Sequence, residues 1–309
     1  MTQKPTGNYS KSIAFIVGGL ALMAVLVYAC NDYGLKKIVS QLKPLVEFLS
    51  PYMAFPERAS EHSMDMDAMM VAVHILMLVL FVGWSAYFIY VLFRFRESKQ
   101  PKADYLGAQN TRFTTFAEYA VITAEIVLIA CFAVPLWAEV VVAEKFPKKS
   151  ENPVIIRIAA QQFGWNARYQ GKDETFGKQD AQFVTPEDKF GYSPNDKAGA
   201  DDIVPPFNSV TVPTGRPVII YLSSLDVIHS LKVVPLRICQ DAIPGIVIPM
   251  HFKATKPGNY MITCAQLCGD GHAKMRGFLN VLSPSDFDQW LVDSAPKPKT
   301  TNAPPPSLE

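Results

Sequence analysis

The sequence predicts a membrane-anchored all-β protein in which a transmembrane helical hairpin precedes a barrel or sandwich of strands. Two long apolar runs, 69–93 and 118–142, are each long enough to cross a bilayer as a helix. The chain after them contains short segments rich in Val and Ile, separated by Pro and Gly turns, which is typical of strands. The net charge is only +1 over 309 residues, so the electrostatics do not suggest nucleic acid as a partner.

The N-terminal segment, residues 1–30, has two interpretations that the sequence leaves open. A basic, polar start is followed by an apolar run over residues 12–29, which is about long enough to span a membrane as an uncleaved anchor. The alternative is a cleaved lipoprotein-type signal, because Val27-Tyr28-Ala29-Cys30 resembles a lipoprotein cleavage site. Residues 31–67 are then predicted to form an amphipathic connector at the periplasmic membrane surface.

The hairpin is predicted over residues 68–145, and the charge of its loop predicts its orientation. The loop has only Glu97 and Asp104 as acids. Its basic residues are Arg94, Arg96, Lys99, Lys102 and Arg112. Because basic loops stay on the cytoplasmic side, the domain that follows should lie outside the cytoplasm. For a bacterial protein this predicts a multi-pass protein of the inner (cell) membrane, in contact with lipid, with its soluble domain in the periplasm.

The soluble domain is predicted over residues 146–293, with a closing helix at 286–292 capped by Ser283 or Ser285. The predicted strands are 153–160, 165–169, 208–213, 216–223, 228–235, 247–253, 258–264 and 276–282. An acidic insertion, 170–207, interrupts the pattern. The tail, 294–309, is rich in Pro, Lys and Thr, and we expect it to be disordered.

A run of soft metal ligands lies between two of these strands. Cys264, Cys268, His272 and Met275 fall within twelve residues, and thiolate, imidazole and thioether ligands together suit copper. A zinc site would leave Met275 without a role, and a disulfide would leave both His272 and Met275 without one. A further ligand from outside the run is expected, and His229 is the best donor. The other cysteines, Cys30, Cys131 and Cys239, are far apart, so the spacing indicates a metal site rather than a disulfide framework.

Three segments in order resemble the copper-binding signature of the cytochrome c oxidase subunit II family. They are Asp226-Val227-Ile228-His229-Ser230, Asp241-Ala242-Ile243-Pro244-Gly245 and the run from Cys264 to Met275. The resemblance covers residues 65–292 apart from the acidic insertion, and it implies a cupredoxin-like Greek-key barrel. It also implies a dinuclear copper (CuA) centre bridged by Cys264 and Cys268. The remaining ligands would be His229, His272, Met275 and the backbone carbonyl of Gln266.

The resemblance further implies a role in respiration. The chain would accept single electrons from a c-type cytochrome, soluble or tethered in a supercomplex. It would pass them to haem in subunit I, where oxygen is reduced and protons are pumped, with other oxidase subunits as partners. The alternative is a copper-binding electron-transfer or copper-delivery module outside any oxidase. A quinol-oxidase subunit would lack the copper ligands, and a nitrous-oxide reductase would need a second, His-rich cluster that five histidines do not provide.

Several positions carry a role only through the resemblance. Phe163 stands where the family has the first of two tryptophans, through which electrons enter, and Trp165 holds the second, as either an electron-transfer or a core residue. Glu118 is either at the entrance of a proton pathway or a carboxylate favoured by the helix dipole. Gln266 replaces the usual Glu ligand of a magnesium shared with subunit I, so that site is expected to be altered. Cys239 is expected to be a buried lone thiol.

The acidic insertion is expected to form a solvated flap. It contains eight acidic residues between Asp173 and Asp202, against three lysines. These carboxylates, Asp201 and Asp202 in particular, are predicted to steer a basic cytochrome to the domain. A calcium site formed by Asn195-Asp196 and Asp201-Asp202 is the alternative, although the spacing fits no standard calcium-binding loop.

Overall fold

The computed structural model describes residues 32–96, 98, 112–186, 188–193 and 196–296, and it divides the chain into two compact units. One unit combines the residues up to 55 with residues 64–142, and the other combines residues 56–63 with those from 143 onward. The N-terminal anchor or signal with Cys30, most of the hairpin loop and the tail from 297 lie outside the described residues.

The first unit is helical. Its helices are α1 (Asp32–Leu49), α2 (Ser63–Arg94), α3 (Arg112–Leu128) and α4 (Val134–Val141). Two stretches are long and apolar enough to cross a membrane, namely Ser63–Arg94 and the continuous helical stretch Arg112–Val141. No residue in the most apolar window of the first is buried within the chain, so its side chains are available to contact lipid or partner helices. The predicted hairpin helices are therefore present, and the first begins six residues earlier than expected.

A π-helical turn, Ile129–Ala133, joins α3 to α4. It lies just before Pro135, which has no N–H to donate and whose ring would clash with the carbonyl of Cys131 in an α-helix. The wider turn relieves this clash. Cys131 and Phe132 of the turn are buried in a cluster with Val39 and Val46 of α1. Cys131 is disulfide-bonded, so at least one cysteine outside the run from Cys264 to Met275 takes part in a disulfide.

The second unit is a sandwich of two sheets closed by a short helix. The strands are β1 (Val154–Gln161), β2 (Gly164–Tyr169), β3 (Ser209–Pro213), β4 (Pro217–Ser224), β5 (His229–Val233), β6 (Ile238–Ala242), β7 (Ile248–Lys253), β8 (Gly258–Cys264) and β9 (Arg276–Leu282). One sheet has the order β2-β1-β4-β7 and the other β3-β9-β8-β5-β6. The pairs β1–β4 and β3–β9 are parallel, and the other pairs are antiparallel. This β domain agrees with the predicted fold class.

One hydrophobic core joins the two sheets, because alternate residues of each strand point inward. In β9, for example, Leu279 and Val281 are buried, whereas Phe278 is exposed and Asn280 is half-buried. All eight predicted strands are present with small shifts at their ends. The ninth, β6, was missed because it is a short edge strand paired only with β5, and it contains the polar residues Gln240 and Asp241. Helix α5 (Pro284–Ser294) is capped by the Ser283 hydroxyl, which accepts the Asp286 N–H.

Residues 56–63 form a strap that adds to the β domain. The Ala59 N–H donates to the Pro235 carbonyl, and the Ser60 hydroxyl donates to the Leu236 carbonyl at 2.6 Å. Ser60 also forms an isolated β-bridge with Ala254. Ala59, Ser60 and Ser63 are buried. The strap therefore supplies part of the edge of the domain although it precedes α2 in the chain.

Candidate metal centre

Three neighbouring strands bring the predicted ligands to one end of the β domain. His229 is the first residue of β5, and Cys264 is the last residue of β8, which pairs with β5 through Leu231. Cys268 and His272 lie on the loop between β8 and β9. Met275 directly precedes β9, and its carbonyl accepts the N–H of Cys264 at 3.4 Å, which closes the base of the loop.

The donor atoms lie within a few ångströms of one another. The two sulfur atoms of Cys264 and Cys268 are 3.8 Å apart. The Nδ1 atom of His229 is 4.0 Å from the sulfur of Cys264, and the Nδ1 atom of His272 is 3.5 Å from that of Cys268. The Met275 sulfur is 3.2 Å from His229 Nδ1 and 3.7 Å from the Cys268 sulfur. The Gln266 carbonyl oxygen lies 3.1 Å from the Cys264 sulfur, while the Gln266 side chain is exposed.

The distances between the donor atoms show which metal or covalent bond these residues can accommodate. A disulfide needs an S–S distance of about 2.05 Å, so the two free thiols are not bonded to each other. Burial, and then the neighbouring Cys264 thiol, raises the pKa of Cys268 to about 11. Two ionised thiolates this close therefore need a bound cation. The soft set of two thiolates, two imidazoles and a thioether fits copper. His229, Cys264 and Cys268 form the candidate metal-binding cluster among the described residues.

Asp226 fixes the orientation of His229. Its Oδ1 atom lies 2.8 Å from His229 Nε2, which leaves Nδ1 facing the sulfur atoms. Its other oxygen accepts the backbone N–H of Gln162 at 2.7 Å. Burial raises the pKa of Asp226, but the hydrogen bonds from His229, Gln162 and Val227 outweigh burial and lower the pKa below its ordinary value. A carboxylate behind a ligand histidine is a common device for fixing its tautomer and ring direction.

Phe163 covers the outer side of the loop between β8 and β9, residues 265–275, which we call the copper loop after its proposed ligands. A Cβ atom at Gly271 would overlap its ring, lying 2.6 Å from Cγ and Cε2, and a Cβ at Gly269 would lie 3.2 Å from its Cζ. The ring of Phe163 is half-buried, so it both contacts the loop and reaches solvent. Trp165, in contrast, is fully buried, with its ring edge-on to His229 at a centroid distance of 6.3 Å. Trp165 is therefore in the core.

The acidic insertion differs from the expected solvated flap. Asp202 is only 3% exposed and pairs with the buried Arg168 of β2 at 2.9 Å. Arg168 also lies 3.6 Å from Asp188, and its guanidinium stacks on the ring of Tyr192. Asp201 is half-buried and accepts the backbone N–H of Asp173. The prediction that Asp201 and Asp202 are free surface charges was wrong, because the insertion uses its acids to fold onto β2.

Two other residues singled out in the sequence are not part of the ligand set. Glu118 is exposed on α3. Cys239 is an exposed thiol on β6, which contradicts the expectation of burial. Sequence reasoning assigned no role to Asp226 or Gln162. The acid three residues before His229 was a usable signal for Asp226, whereas Gln162 reaches the loop from a distant turn and gave no local signal.

Comparison with known proteins agrees with this geometry. The family model for the periplasmic domain of cytochrome c oxidase subunit II matches residues 154–281. The chain is 30% identical over 202 residues to the alternative cytochrome c oxidase subunit 2 of Bradyrhizobium diazoefficiens, a match that covers 65% of this chain and 70% of that protein. It is 28% identical over 228 residues to the cytochrome c oxidase subunit 2 of Alkalihalophilus pseudofirmus, covering 73% of this chain and 57% of the relative.

Solved structures are more distant. The periplasmic domain of subunit II of cytochrome oxidase from Bradyrhizobium japonicum is 23% identical with a TM-score of 0.33, covering 46% of this chain and 92% of that domain. The assignment rests instead on the family model and on the relative that is matched over most of its length. Together with the copper-type donor set at the end of the β domain, they establish that the chain belongs to the cytochrome c oxidase subunit II family.

Proposed function

We propose that the chain is the electron-accepting subunit of a cytochrome c oxidase. It takes single electrons from a c-type cytochrome at a dinuclear copper centre and passes them to haem in subunit I, where oxygen is reduced and protons are pumped. The observation that carries the proposal is the placement of the Cys264 and Cys268 sulfurs 3.8 Å apart, with an imidazole Nδ1 beside each of them.

The proposed ligands are side chains and one carbonyl of this chain. They are His229, Cys264, Cys268, His272, Met275 and the carbonyl of Gln266. Copper, when bound, supplies reversible storage of one electron. The protein holds the ligands on strand ends and a tight loop, so they move little when the charge changes, and this favours rapid transfer. Asp226 holds the proton on Nε2 of His229 and leaves Nδ1 for the metal.

Phe163 is the proposed contact through which electrons arrive. Its ring is half-buried and lies against the copper loop at Gly269 and Gly271, so a docked donor would reach the loop through it. Trp165 has no exposed surface and cannot touch a donor, so we assign it a supporting role beneath His229. The donor is a c-type cytochrome, either soluble or held in the same supercomplex.

The proposed location is the bacterial inner membrane, with the copper domain on the periplasmic side. The two apolar helices support membrane anchoring, and the basic loop between them supports the orientation. Their exposed surfaces are proposed to pack against subunit I, other oxidase subunits and lipid. Glu118 is exposed on α3 and is thereby accessible to a neighbouring subunit, as a role at the entrance of a proton pathway requires.

The proposal is tested on the full chain purified in detergent and loaded with copper. We expect two coppers per chain, a purple absorbance and a seven-line EPR pattern. Replacing either bridging thiol, Cys264→Ser or Cys268→Ser, should abolish both spectral features. A mononuclear blue-copper spectrum from the unmodified chain would contradict the proposal.

A copper-delivery module is the second candidate, and exchange kinetics separate the two. Delivery requires copper that leaves readily for another protein. His229 is fully buried, and Cys268 and Met275 are 4% and 2% exposed, which favours a retained metal. Copper loss to an excess of chelator should therefore be slow, and loss within seconds would favour delivery.

A further inference from the structure

We propose that Gln162 is a positioning residue that connects the two halves of the copper ligand set. This inference rests on the proposed copper function. Gln162 lies in the turn between β1 and β2 and is itself exposed. Its side-chain Nε2 donates to the carbonyl oxygen of Cys268 at 2.7 Å. Its backbone N–H donates to Asp226 Oδ2 at 2.7 Å, and Asp226 in turn holds His229 Nε2.

The two hydrogen bonds reach ligands that come from different parts of the chain. The Cys268 carbonyl is 106 residues from Gln162 in sequence, and Asp226 is 64 residues away. Since His229 begins β5 and Cys268 lies on the loop between β8 and β9, contacts that join these two segments help to fix the relative positions of the two ligands. Gln162 is the one residue among those described that donates both to the Cys268 loop and to the carboxylate behind His229.

The copper loop is shaped to receive this amide. Gly269 follows Cys268 and has a φ of +131°, a backbone conformation that residues other than glycine rarely adopt. A Cβ atom there would lie 2.8 Å from Gln162 Nε2. The glycine therefore lets the amide approach the Cys268 carbonyl. An N–H donor on this peptide also places positive charge near the thiolate, which favours the reduced, more negative state of the centre.

The test uses the copper-loaded full chain in detergent with two variants of Gln162 and a matched control. Gln162→Leu removes the side-chain donor, and Gln162→Glu keeps the shape but replaces the donor with an acceptor. The control is Gln179→Leu, which removes a comparable amide bond, from Gln179 Nε2 to the Phe190 carbonyl at 3.2 Å, within the insertion. Because Gln162 is exposed, its variants should fold, and circular dichroism checks this.

We expect both Gln162 variants to bind copper about 10–100-fold more weakly in chelator competition. Their reduction potential should fall and their copper hyperfine splitting should change, while Gln179→Leu matches the unmodified chain. The inference is overturned if Gln162→Leu has unaltered affinity, potential and EPR spectrum. It is also overturned if Gln162→Glu alone behaves as the unmodified chain, since packing rather than donation would then suffice. Absence of a dinuclear spectrum from the unmodified chain would instead reject the copper function itself, and this inference with it.

Discussion

Asp226 shows at the scale of single residues how the copper loops are held. Its two oxygens accept from two donors at once, His229 Nε2 and the Gln162 N–H. An asparagine has only one side-chain oxygen, and its amide nitrogen is itself a donor. Asparagine at this position would leave one of the two donors facing another donor.

We therefore expect Asp226→Asn to weaken copper binding by about 10–100-fold, because His229 loses its fixed orientation. Competition with a copper chelator measures the effect, and EPR reports whether the dinuclear signal persists. Asp270→Asn is the control, since Asp270 is an exposed carboxylate on the loop between β8 and β9 that carries Cys268. Equal losses in the two variants would show that negative charge near the ligands, rather than the hydrogen bonds of Asp226, sets the affinity.

Gly271 carries a different constraint, which is steric rather than conformational. Its φ of −85° and ψ of 0° are accessible to other residues, so alanine fits the backbone. The obstacle is the ring of Phe163, whose Cγ would lie 2.6 Å from the new Cβ. Because Cγ is close to the ring's attachment to the backbone, rotation of the ring alone does not relieve the overlap.

Gly271→Ala should lower the free energy of unfolding by about 1–3 kcal/mol, the usual range for overpacking. The penalty should largely disappear when Phe163 is also replaced by alanine, since the overlapping ring is then absent. Denaturant unfolding of the single and double variants measures this coupling. An equal penalty with and without Phe163 would contradict the proposed contact.

At the scale of helices and strands, the sequence predicts well those elements that are defined by residues close together in the chain. The eight predicted strands are short segments rich in Val and Ile between Pro and Gly turns, and that composition is local information. The ligand run from Cys264 to Met275 was likewise readable because its ligands are neighbours in the chain. Strand β6 and the strap over residues 56–63 depend on partners elsewhere, as the bond from Ser60 to the Leu236 carbonyl shows, and their own residues carry no matching pattern. Gln162 was missed for the same reason.

The acidic insertion is the element whose role in the structure differs most from the role predicted from the sequence. Composition suggested free surface charge, but composition does not show that a basic residue of a neighbouring strand is buried beneath it. Arg168 is enclosed by Asp202, Asp188 and the ring of Tyr192. The carboxylates therefore act as anchors for the insertion.

Asp202→Asn should loosen the insertion, because it leaves the buried Arg168 without its closest counter-ion. Breaking a buried pair costs about 3–5 kcal/mol, and the remaining Asp188 should keep the loss near the lower end of this range. Limited proteolysis within residues 170–207 and the thermal midpoint measure the effect. The control, Asp180→Asn, changes an exposed carboxylate that accepts one backbone N–H of its own turn, and should cost about 1 kcal/mol. Similar protease sensitivity of both variants would contradict the anchoring role.

The whole molecule combines a folded β domain with helices whose apolar surfaces are largely exposed within the chain. Several apolar side chains of α2, among them Phe81, Trp84 and Phe88, are more than half exposed. Such a surface is stable only against lipid or other helices. Glu125 on α3 is also exposed, and a carboxylate is costly against hydrocarbon, so its face is expected to meet a partner subunit.

The orientation of the helical hairpin gives the last prediction. The loop between α2 and α3, together with the two arginines at the adjoining helix ends, carries five basic residues against two acids, and basic loops remain in the cytoplasm. Residues from 143 onward should then lie on the opposite side.

A cysteine-labelling experiment tests this orientation. Cys239 is an exposed native thiol, so it is first replaced by serine. A single cysteine is then placed at exposed Ser98 in the loop or at exposed Asp288 on α5. In intact cells an impermeant maleimide should label Asp288→Cys but not Ser98→Cys, and permeabilised cells should show both labelled. Labelling of Ser98→Cys in intact cells would reverse the orientation and place the copper domain in the cytoplasm, where it could not meet a periplasmic cytochrome.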